Sequence, residues 1–80
     1  MNLITRIENT RTAWALLMPT ISPPTETWLA KWCAGHTDAA IERAILRTSR
    51  KFRDGTTPEL AHRYASATLH HLARAAQEQV

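Results

Sequence analysis

The side chains equipped for chemistry are few. They are Cys33, the histidines His36, His62, His70 and His71, and seven carboxylates in 80 residues. A helical zinc pair needs two histidines four apart, so that both rings face one ion. No two histidines here have that spacing, and the neighbours His70 and His71 point about 100° apart on a helix. Neither a metal site nor a cofactor is expected. His62 and His70 read as solvated, and His71 as lying at the boundary of a buried face. Nucleophilic catalysis needs a thiol or hydroxyl activated by a base, with an oxyanion donor nearby. Cys33 lies in a short Trp-rich amphipathic stretch, where a small buried thiol is the ordinary outcome. His36 is close in sequence, but no third group accompanies it. The acids form no DxD or paired pattern. The two glycines, Gly35 and Gly55, make no phosphate-cradling loop. No catalytic residue emerges, and the chain is read as not an enzyme.

What remains is charge. Five of the ten Lys and Arg residues lie between 43 and 53, and the formal net charge is +3. Arg43, Arg47 and Arg50 recur at helical spacing on one face, with Lys51 and Arg53 at its edges. Such a face suits phosphates or an acidic protein surface. Arg63 and Arg74, further along, would extend the patch. Basic residues near a helix C-terminus are also favoured by the helix dipole alone, so a solvated face is the competing reading.

The elements that must carry these residues are helices. Leu3, Ile7, Trp14 and Met18 share one face of a helix over 3–17, flanked by Ile4 and Leu17, and Pro19 stops it. The stretch PTISPPT is a stiff extended connector, with Ile21 pinned to the core. Ser22 or Thr25 caps a second helix over 25–34, on which Trp28 and Trp32, four apart, share a face; core packing is their expected role, and the alternative, bases stacking on exposed rings, has only Lys31 as nearby positive charge. Gly35 is expected to end that helix in the left-handed conformation. Thr37 or Asp38 caps a third, over 38–53, with Ala40, Ile41, Ala44, Ile45, Thr48 and Phe52 on its apolar side. Asp54-Gly55 ends it. Thr57-Pro58-Glu59 opens a fourth, over 57–77. Leu60, Ala61, Tyr64, Ala65, Thr68, Leu69, Leu72, Ala75 and Ala76 cover its wide apolar face. His62, Arg63, Ser66, His70, Arg74 and Gln77 cover the other. No segment alternates with period two.

The expected fold is therefore all-α, a compact bundle of about four helices forming one domain over 1–80. Its expected core is Leu3, Ile7, Trp14, Leu17, Trp28, Leu29, Trp32, Ile41, Ile45, Phe52, Tyr64, Leu69 and Leu72. Eighty residues give a small core, which dimerisation through the alanine-rich faces would relieve. One cysteine excludes an internal disulfide and fits a reducing compartment. The opening MNLITRIENTR lacks the apolar run of a signal peptide, and no apolar run approaches membrane length. A cytoplasmic location and no membrane partner are expected.

The second and third helices, joined at Gly35, have the outline of a helix-turn-helix. Base readout in that motif comes from the start of the second helix of the pair. Here that start is Thr37, Asp38, Ala39 and Ala40, with no basic side chain. The arginines lie one to three turns later, a placement suited to phosphates rather than bases. Leu46 lies on the basic side, flanked by Ala39 and Arg50, and is the candidate anchor for a protein partner.

Residues 38–73 resemble the C-terminal region of DnaD-like bacterial and phage replication proteins. The likeness rests on IERAI at 41–45 and YASATLHHL at 64–72. Tyr64 and Leu69 match the family pattern, whereas Thr68 stands for its Ile and Leu72 for its Trp. The resemblance implies a helical module that touches DNA and partner proteins in replication initiation. Two functions follow as expectations. One is a small DNA-associated accessory protein of replication or mobile-element type, gripping phosphates through its basic helix face. The other is an adaptor or inhibitor acting on a nucleic-acid-processing machine.

Overall fold

Asn2 sits in extended backbone, and its side-chain oxygen accepts the Thr5 N–H at 2.8 Å. That cap starts helix α1, Leu3–Leu17. The computed structural model describes residues 2–78, with three further helices: α2, Glu26–Gly35; α3, Asp38–Lys51; and α4, Pro58–Glu78. Among the described residues there is no strand. The all-α bundle of four helices agrees with the sequence pattern, and each helix lies within two residues of its expected bounds.

The punctuation residues explain that agreement. Thr25, Thr37 and Thr57 each accept the N–H three residues on, from Trp28, Ala40 and Leu60. Each satisfies a donor that the helix itself leaves orphaned. Pro58 fills the first position of α4, where its missing N–H costs nothing. Gly55, at φ 94°, makes the left-handed turn after α3.

Gly35 departs from expectation. It is the last residue of α2 and has no positive φ; His36, in extended backbone, is the cap. The termination comes instead from a residue of α1. Arg6 donates through Nη1 to the Cys33 carbonyl at 2.7 Å and through Nη2 to the His36 carbonyl at 2.9 Å. Its Nε meets Asp38 Oδ1, at the start of α3, at 2.7 Å. One guanidinium thus ties α1, the end of α2 and the beginning of α3 together, a use of its rigid fork that lysine could not copy.

Helix α3 is the hub, packing against each of the other three. It buries Ile41, Ala44, Ile45 and Thr48, with the Thr48 hydroxyl returned to the Ala44 carbonyl at 2.7 Å. Ala61, Ala65 and Leu69 of α4 are fully buried as well, so small side chains line the closest helix pair. Trp14 is fully enclosed, and its indole N–H donates to the Ile21 carbonyl at 2.8 Å. This bond and the burial of Ile21 fasten the proline-rich connector to the core, as expected.

The expected core needs correction at its edges. Leu3 is 46% and Leu17 43% exposed. Trp28 and Phe52 are only partly buried, as are Tyr64 and Leu72. Met18, Cys33, Ala44, Ala61 and Ala65 occupy interior positions instead. The reason is geometric: α2 and α3 pack against one side of α1, and no described element reaches Leu3 or Leu17 closely enough to bury it. Leu60 and Ala76, placed on the apolar face of α4, are exposed too.

Candidate functional site

The basic residues of α3 stand opposite its buried stripe. Arg43 and Arg50 project from the outer face, and Lys51 with Arg53 are exposed at its C-terminal end. Arg47 is half-buried on the flank of the same face. From residue 43 to residue 50 the helix rises about 10 Å, so the three arginines form a short row. None of the five cations makes an ion pair with a described residue. The helix carries two acids. Asp38 is engaged by Arg6, which leaves Glu42 as the exposed carboxylate beside the row. Hydrogen bonding to Asp38 holds the Arg6 guanidinium above its ordinary pKa, with the Asp38 charge adding to the effect. Arg50 and Lys51 also face the negative end of the helix dipole, which accounts for part of their placement.

Arg63 and Arg74 are exposed on α4. They are eleven residues apart, about three turns, and so share a flank. That flank lies about 100° round the helix from Tyr64, whose ring meets Phe52 at the end of α3 with centroids 5.4 Å apart. These two arginines therefore share the exposed side of α4 with His70, next to Ser66, which meets α2.

Leu46 is 37% exposed, as the sequence reading placed it. It is not isolated. Ala13, Leu16 and Leu17 of α1 join it in a shallow groove of about 310 Å³, with Glu42 at one side. Leu16, at 77%, is the most exposed large apolar side chain described.

His70 is exposed, as expected, but two other histidines depart from expectation. His62 is partly buried; its Nε2 donates to the Ser22 carbonyl at 2.8 Å, and its ring lies edge-on to both Trp14 and Trp28. His71 is exposed rather than at the edge of the buried face. His36 and His70 meet across α2 and α4, with ring centroids 5.9 Å apart. Burial lowers the His36 pKa from its ordinary value, and the charge of a protonated His70 lowers it further. Cys33 is buried, with its sulfur 3.8 Å from Thr10 Oγ1. The Thr10 proton is already given to the Arg6 carbonyl, so the thiol is the donor in that contact. Among the described residues no three His, Cys, Asp or Glu side chains gather as metal ligands would. No described helix is long and apolar enough to cross a membrane.

One feature escaped the sequence reading. Trp28 and Trp32 of α2 both donate their indole N–H to a single oxygen, Ser66 Oγ of α4, at 2.9 Å each. The two helices scarcely touch by backbone, and these bonds bridge the gap. Beside the bridge lies an open cleft of about 550 Å³. The helical wheel put Ser66 and His62 on the polar face of α4; the only available signal was a pair of tryptophans, each needing an acceptor once enclosed.

Comparisons with protein-family models, with curated proteins and with solved structures each returned no match.

Proposed function

We propose that this protein is a small, non-enzymatic nucleic-acid-associated accessory module that grips the phosphate backbone through the outer face of α3. The observation that carries the reading is the row of Arg43, Arg47 and Arg50 with Lys51 and Arg53: four cations on one helix and a fifth just past its end, none ion-paired to a described residue. The same helix has one of its two carboxylates already neutralised by Arg6. Unpaired cations in a row supply the counterion-release affinity that phosphates reward. Their distance from the start of α3 favours backbone contacts over base readout. The likeness of residues 38–73 to the C-terminal region of DnaD-like replication proteins points toward DNA and replication. Fluorescence polarisation with labelled duplex and single-stranded DNA across a salt series tests the proposal. Binding that weakens steeply with salt and depends little on sequence is expected; no binding at low salt rejects it.

A second reading rests on a different observation. The groove formed by Ala13, Leu16, Leu17 and Leu46 is an exposed apolar surface beside the basic row. Exposed apolar side chains rimmed by charge are a feature of protein interfaces. In this reading the module is an adaptor or inhibitor of a nucleic-acid machine, and the arginines meet an acidic protein surface. A stoichiometric protein partner that survives nuclease treatment, and is lost in Leu46→Glu, would favour it.

A further inference from the structure

We infer that the cleft between α2 and α4 is a nucleotide-binding site, one that takes a flat, acceptor-bearing base against Trp28 and places its phosphate among the cations at the rim. The inference deepens the nucleic-acid reading above and rests on it for the source of the nucleotide.

The argument begins with Ser66. A hydroxyl has two acceptor positions and one proton. Both acceptor positions of Ser66 Oγ are filled, by the indole N–H groups of Trp28 and Trp32. Other hydroxyls on these helices give their proton to a carbonyl one turn back: Thr10 to Arg6, Thr48 to Ala44 and Thr68 to Tyr64. Ser66 makes no such bond with any described residue. Accepting two bonds also polarises the O–H and strengthens it as a donor. The cleft wall therefore holds a fixed, activated hydrogen-bond donor with its proton unspent.

The surroundings select the ligand. Trp28, half-buried, presents indole surface to the cleft, and Trp32 backs it. Aromatic surface of this kind stacks bases whatever their sequence. Lys31, His36 and His70 line the remaining wall, and among the described residues no carboxylate does. Arg63 stands one turn before Ser66 on the same flank of α4, and Arg74 one turn beyond His70. Lys31 thus gives the wall a cation on α2, and helical spacing sets Arg63 and Arg74 on the neighbouring flank of α4. A space of about 550 Å³ lies within the range of small-ligand sites. A carbonyl or ring nitrogen of a base would accept the Ser66 proton, the ring would lie on Trp28, and the phosphate would reach Lys31 or Arg63.

The test uses the intact protein and its tryptophan fluorescence. The probes are thymidine monophosphate, a short oligo(dT) and a duplex of mixed sequence. Trp14 is fully enclosed and serves as a constant background, so a change reports on Trp28 and Trp32. Quenching by oligo(dT), weakened roughly tenfold in Lys31→Glu, is the expected result. Lys31 is exposed and holds no described partner, so this variant does not threaten the fold. Trp28→Phe should also reduce the quenching. If oligo(dT) binds by polarisation while tryptophan emission and the Lys31→Glu affinity stay unchanged, the cleft assignment fails and the α3 reading stands. If thymidine monophosphate quenches but neither polymer binds, the cleft is a site for a free nucleotide and the α3 reading fails. If no probe binds, both fail.

Discussion

Ser66→Ala isolates the bridge between α2 and α4. The substitution takes away one oxygen that two indoles share. Trp32 is almost fully enclosed, so its N–H loses its acceptor with little access to water, a loss of about 1–3 kcal/mol. Trp28 is half-buried and can turn to solvent, which limits its loss to about 1 kcal/mol. Alanine's better helix propensity offsets roughly 0.5 kcal/mol within α4. The net destabilisation is then about 2–3 kcal/mol, against a total of roughly 4–12 kcal/mol for a domain of this length. At about 4–8 °C per kcal/mol the melting temperature should fall by roughly 10–20 °C. Thermal unfolding followed by far-UV circular dichroism reads this directly. A double-mutant cycle with Trp32→Phe adds a stricter demand. Removing donor and acceptor together should cost less than the sum of the single changes, with a coupling of about 1 kcal/mol or more. A melting temperature unchanged within about 2 °C, or strictly additive losses, would refute the view that these bonds hold α4 to α2.

The two glycines should respond oppositely to alanine. Gly35→Ala, in ordinary backbone with open space around its Cβ position, should stabilise by about 0.5–1 kcal/mol; Gly55→Ala, at φ 94°, should destabilise by about 1–2 kcal/mol, both read by denaturant titration. The lowered His36 pKa makes stability pH-dependent with a defined sign. The unfolded chain takes up a proton near the ordinary value of 6.5, before the folded one does, so stability is fully present above that pH and is lost as pH falls toward the folded value. His70→Gln removes one cause of the shift and should flatten that loss between neutral and mildly acidic pH. Leu46→Glu should leave phosphate binding only modestly weaker while abolishing capture of any protein partner that uses the apolar groove, so a large loss of DNA affinity would contradict the division between the two surfaces.

The helices were legible because each is bounded by residues with only one economical use. Thr25, Thr37 and Thr57 are caps, Pro58 is a first-turn residue, and Gly55 is a left-handed turn. The basic row was legible too, since Arg43, Arg47 and Arg50 need only helical spacing to share a face. Three matters lay beyond pattern reading. Gly35 has the look of a helix stop, yet the stop is supplied by Arg6, from far earlier in the chain; no local signal records that partnership. Ser66 and His62 sit on the polar side of an amphipathic wheel, and whether that side meets water or another helix depends on where α2 lies. Leu3, Leu17 and Leu60 carry the apolar period correctly but stand where no neighbouring element reaches, because a four-helix chain of this length cannot cover every apolar side chain it presents.

The central claim is that the unpaired cations of α3 bind phosphate. Polarisation of labelled single-stranded and duplex DNA, titrated at several salt concentrations with the wild type and an Arg43→Gln, Arg47→Gln, Arg50→Gln triple variant, tests it most directly. The account predicts that the logarithm of the wild-type affinity falls linearly with the logarithm of salt, and that the triple variant binds more weakly with a slope reduced by about 2–3, the share of three lost phosphate contacts. Absence of wild-type binding at about 50 mM salt, or the same slope in both proteins, would contradict it.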